Sequence, residues 1–277
     1  MKDLIIGTST NYDWSKLKYW VNSINQSGFD GDKVLVLLNC NKETIRKVSE
    51  AGFIVVGGKQ DAEGNLVHQS SIPVHVERFI HMHAFLSTRE YRYIVTTDVK
   101  DVVFQRNPIE YIEQNLHEEK DLIFASESMR YMDEPWGNQN LFETYGNYIY
   151  DHYKKSEIFN VGVLAGRGYA IKDLFINIFA AAIGRPIPIC DQSTFNFMIN
   201  HSWFQRIGVY ARSEDAWAAQ LGTTGDPSKI DNFAPLLLEP SPKLEGNEVV
   251  TSTGKPFTIV HQYDRTPWKS VIEAKYG

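Results

Sequence analysis

The chain of 277 residues has little cysteine: only Cys40 and Cys190, far apart. Two isolated thiols build neither a disulfide framework nor a cysteine zinc site, so a reducing cytoplasm is the expected setting. Long apolar runs are also missing. The first fourteen residues, MKDLIIGTSTNYDW, hold no apolar run longer than Leu4-Ile5-Ile6, too short for a signal peptide. No window approaches the roughly 18 apolar residues of a transmembrane helix. A soluble chain, or one peripheral at a membrane, is expected. Positive charge is not in excess, with 28 Lys and Arg against 34 Asp and Glu and a formal net charge of −6. That balance argues against nucleic-acid binding, which needs clustered cations, but leaves room for a local nucleotide site. There is no Walker A loop, no G-x-G-x-x-G and no G-x-S-x-G. Repeats, low-complexity tracts and interdomain linkers are absent too, so one domain over 1–277 is expected.

Aromatic residues, in contrast, are plentiful at 13%. They include Trp14, Trp20, Trp136, Trp203, Trp217 and Trp268. Any one of these fills a core by default, but a surplus also suits carbohydrate, because a ring face packs on the apolar face of a sugar.

The first 125 residues alternate strand and helix patterns. Leu4 to Gly7 reads as a strand ending in the polar loop Thr8-Ser9-Thr10-Asn11. Ser15 to Gln26 places Leu17, Trp20, Val21 and Ile24 at helical spacing. Lys33 to Leu38 is a buried strand, Asn41 caps a helix over 42–51, and Phe53 to Val56 is a third strand. Residues 57–73 read as a loop, 76–88 as a helix and 91–97 as another buried strand. Pro108 suits the first turn of a helix to about Leu116, and 121–125 is a strand. Such alternation implies βαβ units and a mostly parallel sheet, whose ligands bind at the C-terminal strand ends. Thr8–Asn11 and Asp98–Asp101 both fall there. The second half is less regular. It has a polar, aromatic stretch over 128–158, a strand over 160–165, a helix over 170–183 and a helix opened by Asp191 as its cap. A loop-rich region and a strand over 257–260 that delivers His261 complete it.

The strongest chemical feature is Tyr93-Ile-Val-Thr-Thr-Asp98-Val-Lys-Asp101-Val-Val-Phe104. Two carboxylates leaving a buried strand three residues apart repel unless a cation lies between them. Hard oxygen ligands suit Mg²⁺ or Mn²⁺, which bridge phosphates. The bland alternatives are helix-capping acids or a pair with Lys100. The second feature is Ile-Val-His261-Gln-Tyr-Asp264-Arg265-Thr-Pro-Trp268-Lys269, in which His261 is a candidate third ligand and Arg265 and Lys269 are candidate phosphate partners. His81 and His83, two apart on a helix, point to different faces, and His75 and His68 show no ligand spacing.

Taken together, these features resemble the GT-A glycosyltransferases, which carry a DxD-like acidic motif after a central strand and, in many members, a C-terminal His at the metal site. The resemblance spans most of the chain. It rests on the Thr8–Asn11 loop, Asp98–Asp101 followed by Phe104-Gln-Arg-Asn-Pro108, the Asn160-Val-Gly-Val strand, Asp191-Gln192 and His261. It departs at Lys100, which stands where the family motif has its second acid. It implies an α/β GT-A domain, with residues 1–127 as the nucleotide half and 128–277 as the acceptor half. Asp98, Asp101 and His261 would hold Mn²⁺ or Mg²⁺. Thr8, Ser9 and Asn11 would lie near base and ribose, and Arg78 and Lys269 near the diphosphate. Asn160 and Gln192 would approach the donor sugar. Asp191 would be the catalytic base or a hydroxyl-orienting residue, with Glu127 or Asp133 in reserve. The implied donor is a UDP-sugar and the acceptor a glycan hydroxyl. Competing readings are a non-catalytic nucleotide-sugar binder and a nucleotidyltransferase of the same fold, which usually has a Gly-rich basic loop absent here. A HAD-type phosphohydrolase would need an Asp after the first strand, where this chain has Gly7-Thr-Ser-Thr.

Overall fold

The computed structural model describes the backbone of residues 1–277 and every side chain except that of Ser202. Along the chain the strands are β1 (Leu4–Ser9), β2 (Asp32–Leu37), β3 (Ile54–Gly57), the short hairpin β4 (Lys59–Gln60) and β5 (Leu66–Val67), β6 (Tyr93–Thr97) and β7 (Val102–Phe104). They continue with β8 (Leu122–Arg130), β9 (Glu157–Arg167), β10 (Gly208–Ala211), β11 (Ala218–Gln220), the β12 (Lys243–Glu245) and β13 (Glu248–Val250) ribbon, and β14 (Ile259–His261). The main helices are α1 (Trp14–Gln26), α2 (Lys42–Glu50), α3 (Val74–Leu86), α4 (Pro108–Asn115), α5 (Pro135–Tyr153), α6 (Gly168–Ala182) and α7 (Asp191–Ile199).

Seven strands form the central sheet in the order β10-β8-β9-β6-β1-β2-β3. Only β9 runs against its neighbours; the other pairings are parallel. The expected mostly parallel α/β sheet is therefore present. Its inner strands bury both faces, as parallel strands between helices must, while the edge strand β3 stays partly exposed. Ile5, Leu35 and Leu37 face a core shared with Leu17, Trp20, Val21 and Ile24 of α1, together with α2 and α4. Leu4, Ile6, Val34 and Val36 face the other core, filled by Phe79 and Met82 of α3 and Leu174 and Phe175 of α6. Burying each such side chain contributes about 1.5–3 kcal/mol before entropy is counted. The predicted caps at Asn41, whose side chain accepts from the Thr44 N–H, and the Pro108 start, capped by Asn107, are both present.

Three local expectations fail, each for a tertiary reason. The 57–73 loop contains the β4–β5 hairpin, which Leu66 anchors by a backbone bridge to Cys40. The strand predicted over 121–125 runs on to Arg130 through irregular register against β9, with Ser128 in the left-handed region; such bulges re-aim side chains at sheet rims. Asp191 does not cap α7. The cap position is Cys190, and the Asp191 carboxylate instead reaches Arg78 on α3.

The loop-rich region also hides strands. β11, β14 and β7 make a second sheet, with β14 parallel to β11 and antiparallel to β7. β7 begins directly after Asp101, so the chain passes from the central sheet to the small one between Asp98 and Asp101.

Candidate functional site

The site forms where strand ends of both sheets meet. Asp98 follows β6, and its N–H donates to the Gly162 carbonyl on β9 at 2.8 Å. Trp20 of α1 donates from Nε1 to Thr97 Oγ1 at 2.8 Å, fixing the end of β6. Three residues on, Asp101 precedes β7, and its carbonyl accepts the Gln262 N–H at 2.7 Å. His261 ends β14 in register with Val102 on one side and Gln220 on the other.

The crossing between sheets explains the spacing. His261 Nε2 lies 3.5 Å from Asp98 Oδ2 and 3.7 Å from Asp101 Oδ1. Lys100 points elsewhere, its ammonium 3.0 Å from Asp264 Oδ2. Both acids therefore face the imidazole, and the residue at motif position three does not. His261 Nδ1 lies 2.8 Å from Gln220 Oε1, an oxygen that only accepts. With Nδ1 tied to Gln220, Nε2 is the nitrogen turned to the acids, the orientation of a metal-ligating histidine and its outer partner. Gly162 leaves the space for this grouping. A Cβ there would sit 2.8 Å from Asn160 Oδ1, Asp98 Oδ2 and His261 Cε1. Gln262, next to His261, holds a left-handed φ of 61°, a strain that surrounding contacts must support.

Charge in this group is tightly coupled. Burial opposes ionisation of Asp98, but the Arg78 guanidinium and His261 outweigh it and hold the carboxyl well below the ordinary range. Burial pushes Asp101 up, with Asp98 and Asp264 adding to the rise and His261 opposing it. Burial would lower His261, yet Asp101 and Asp98 raise it. The two acids thus draw positive charge to this spot, which a proton on His261 supplies and a metal ion bound to the same three groups would replace. Two carboxylates with one imidazole match the donors that Mn²⁺ or Mg²⁺ accept.

Two cavities open from this point. One of about 300 Å³ is lined by Thr8, Ser9, Thr10, Tyr12, Lys100 and Asp101. The other, of about 430 Å³, is lined by Glu127, Glu134, Trp136, Asn160, Asp191 and Gln192, among others. His75, Arg78, Asp98 and Arg265 border both, so the two spaces lie side by side with these residues between them. Arg78 is the hinge of the wall: it pairs with Asp98 and, at 2.9 Å, with Asp191 Oδ2. Burial raises the Asp191 carboxyl against the pull of Arg78. Deeper in the second cavity, Asn160 Nδ2 and Gln192 Nε2 each donate to Glu127 Oε1 at 2.7 Å. Those amides are held in turn, because Asn160 Oδ1 accepts the Gly162 N–H and Gln192 Oε1 the Val161 N–H. Burial pushes the Glu127 carboxyl up.

Most residues singled out from the sequence come together here. Thr8, Ser9, Arg78, Asp98, Asp101, Asn160, Asp191, Gln192 and His261 all border one cavity or the other. Asn11 and Lys269 do not. Asn11 is exposed in a left-handed turn, its N–H donating to the Asn39 carbonyl, and Lys269 is exposed beside Glu273 on the C-terminal helix. Asp133 likewise lines neither, although Glu134 does. Residues the sequence did not flag for this site include Tyr12, His75 and Gln220, while of the six tryptophans only Trp136, half-exposed, lines either cavity. Tyr12 had a usable signal, as an aromatic just past the β1 loop. Gln220 had none, since only the β11–β14 register sets it against His261.

A family model for nucleotide-diphospho-sugar transferases matches residues 36–226, a span running from β2 past the α7 wall. The chain belongs to the nucleotide-diphospho-sugar transferase family. Membership makes it a glycosyltransferase that draws on a nucleotide-sugar donor, and sets aside the phosphohydrolase reading. Among solved structures it is similar to mouse xyloside xylosyltransferase 1 in its apo form, with a TM-score of 0.51 and 14% identity over 96% of this chain and 99% of that one. That likeness concerns the fold, which is the expected GT-A type. No curated protein matches the sequence. No helix among the described residues is long and apolar enough to cross a membrane.

Proposed function

We propose that this transferase moves a sugar from a UDP-sugar to a hydroxyl of a glycan acceptor, and that the reaction requires Mn²⁺ or Mg²⁺. The observation that carries the metal dependence is the convergence of Asp98, Asp101 and His261 Nε2, with Nδ1 tied to Gln220 and Gly162 leaving the room. A divalent ion bound there offsets charge on the leaving diphosphate.

The chain's own residues would divide the work between the two cavities. The smaller, built from residues of the first 127 plus Arg265, would hold the nucleotide, with Thr8 and Ser9 offering hydroxyls and Tyr12 a ring face for the base. Arg265, bordering both spaces, is better placed than Lys269 to meet diphosphate oxygens. In the larger cavity, Asn160 and Gln192 would position the donor sugar. Trp136 would offer a face to the acceptor, whose binding belongs mainly to residues 128–277. Asp191 would engage the reacting hydroxyl, as the base if transfer inverts and as an orienting acceptor if it retains.

The test is a screen of nucleotide-sugars for hydrolysis and transfer, with and without excess EDTA. Turnover of a UDP-sugar that EDTA stops, and Mn²⁺ restores, is the expected result. Equal turnover in EDTA would sink the metal requirement, and preference for another base would sink the donor assignment. Binding of donor with no turnover on any acceptor would favour a non-catalytic binder.

A further inference from the structure

A second group of ligating side chains lies outside both cavities. Glu77 and His81 stand four residues apart on α3, hence on one helical face. The β4–β5 hairpin then brings His68 onto the same spot, which no spacing in the sequence foretold. His68 Nε2 is 2.9 Å and His81 Nε2 3.5 Å from the same oxygen, Glu77 Oε1. The two imidazole rings meet nearly edge-on, with centroids 5.3 Å apart. Ligand atoms on a tetrahedral zinc with bonds of 2.0–2.1 Å are about 3.4 Å apart, so the His81 separation already fits one coordination sphere, and the His68 contact is a hydrogen bond that would open by about half an ångström to admit the ion. Glu77 is buried, and His81 Nε2 is buried with no hydrogen-bond partner, although it faces a carboxylate. Such a pairing leaves a lone pair or a proton poorly used, and a shared cation satisfies all three groups at once. The His68 backbone is itself fixed: its main-chain N–H donates to Asn39 Oδ1 at 2.7 Å. Both rings are partly exposed to solvent along their other edges.

We propose that His68, Glu77 and His81 bind a zinc ion that clips the β4–β5 hairpin to α3. Two imidazoles and one carboxylate suit zinc better than the harder Mg²⁺ or Mn²⁺. The clip would close the stretch between residues 68 and 77, which carries His75 to the border of both cavities, and would steady the helix that carries Arg78. Its role is structural, separate from the Asp98–Asp101–His261 grouping.

The experiment uses the full chain carrying His261→Ala, so that the other grouping is silenced, and titrates it with ZnCl₂ against a chromophoric chelator. One zinc equivalent is expected, and it is lost when His81→Ala is added. Co²⁺ in place of zinc should give intense visible bands of tetrahedral coordination in the first protein and none in the second. Because a substitution on α3 could unfold the chain, His68→Gln in the loop is the second variant, checked by circular dichroism and expected to lose the same equivalent. Unchanged zinc stoichiometry and affinity in folded His68→Gln or His81→Ala proteins would overturn the proposal, as would a weak, octahedral Co²⁺ spectrum.

Discussion

The two sheets of this molecule are built in opposite ways. The central sheet is long, buried on both faces along its inner strands and repeated from unit to unit, with helices announcing themselves between strands. The small sheet of β7, β14 and β11 has strands of three residues each, drawn from three distant parts of the chain. Yet the candidate metal ligands are shared between them: Asp98 stands at the end of the central sheet, while Asp101 and His261 belong to the small one. The lesson is that the large sheet supplies a rigid edge and the small sheet supplies reach. Neither alone assembles the set, so transferase chemistry should fail whenever the junction is disturbed, even if the large sheet is intact.

The sharpest way to break that comparison is to remove a small-sheet ligand. His261→Ala or Asp101→Ala should lower transfer by about 10²–10³-fold, the scale expected when a main source of transition-state charge stabilisation is lost. The far-UV spectrum should stay unchanged. Activity within a few-fold of wild type in both variants would show that the large sheet suffices. Next in size is Gly162→Ala, which adds one Cβ 2.8 Å from Asp98 and His261 and shifts the junction without removing a ligand. A displacement of that order costs about 10²-fold in rate, and steady-state kinetics across Mn²⁺ concentrations should show a raised metal requirement. An unaltered metal response would mean the junction tolerates movement.

The same contrast decides what could be seen in the sequence. The large sheet was legible because inner parallel strands buried on both faces read as apolar runs, and because Asn41 and Pro108 mark helix starts. The acids were legible as a pair following β6. Their geometry was not, because the three-residue spacing makes sense only once the chain is known to change sheets there. His261 stood out as a histidine after an apolar strand, but Gln220 lay in a stretch with no periodicity, its strand formed by pairing rather than propensity. Asp191 was read as a helix cap because the local pattern allows it; the Arg78 guanidinium from α3 competes for the carboxylate and wins. His68 and His81 belonged to different local patterns and meet only through the hairpin.

Glu127 tests the large-sheet side of the junction at smaller amplitude. Burial raises its carboxyl, so the folded state holds the proton more tightly than the unfolded chain does. The stability this gives is fully present below the unfolded value, about 4.3, and is lost as pH rises through the raised folded value. Glu127→Gln keeps an oxygen for the Asn160 and Gln192 amides and carries no charge. Its melting temperature should match wild type near pH 4 and exceed it at pH 8 by about 2–4 °C, as for roughly 1 kcal/mol in a chain of this size. A difference that is flat across this range would show that Glu127 is not strained by burial.

The smallest expected effect belongs to Lys100, and it sharpens the comparison most directly. If motif position three were a ligand or a phosphate partner, Lys100→Ala would cost activity on the scale of the acids beside it. In the structure its ammonium pairs with Asp264, with nearly half the side chain exposed. An exposed pair of this kind is worth about 0–1 kcal/mol. Lys100→Ala should therefore leave kcat within about twofold of wild type and change the melting temperature by no more than about 4 °C. The Mn²⁺ dependence should be unmoved, since Asp101 keeps its place through the carbonyl bond to Gln262 and the start of β7. Lys100 borders the smaller cavity, so a change in KM for the nucleotide-sugar is the informative alternative. A raised KM with constant kcat would give the lysine a donor-binding role. A fall in kcat to the level of Asp101→Ala would mean that the division of the motif between two sheets is wrong.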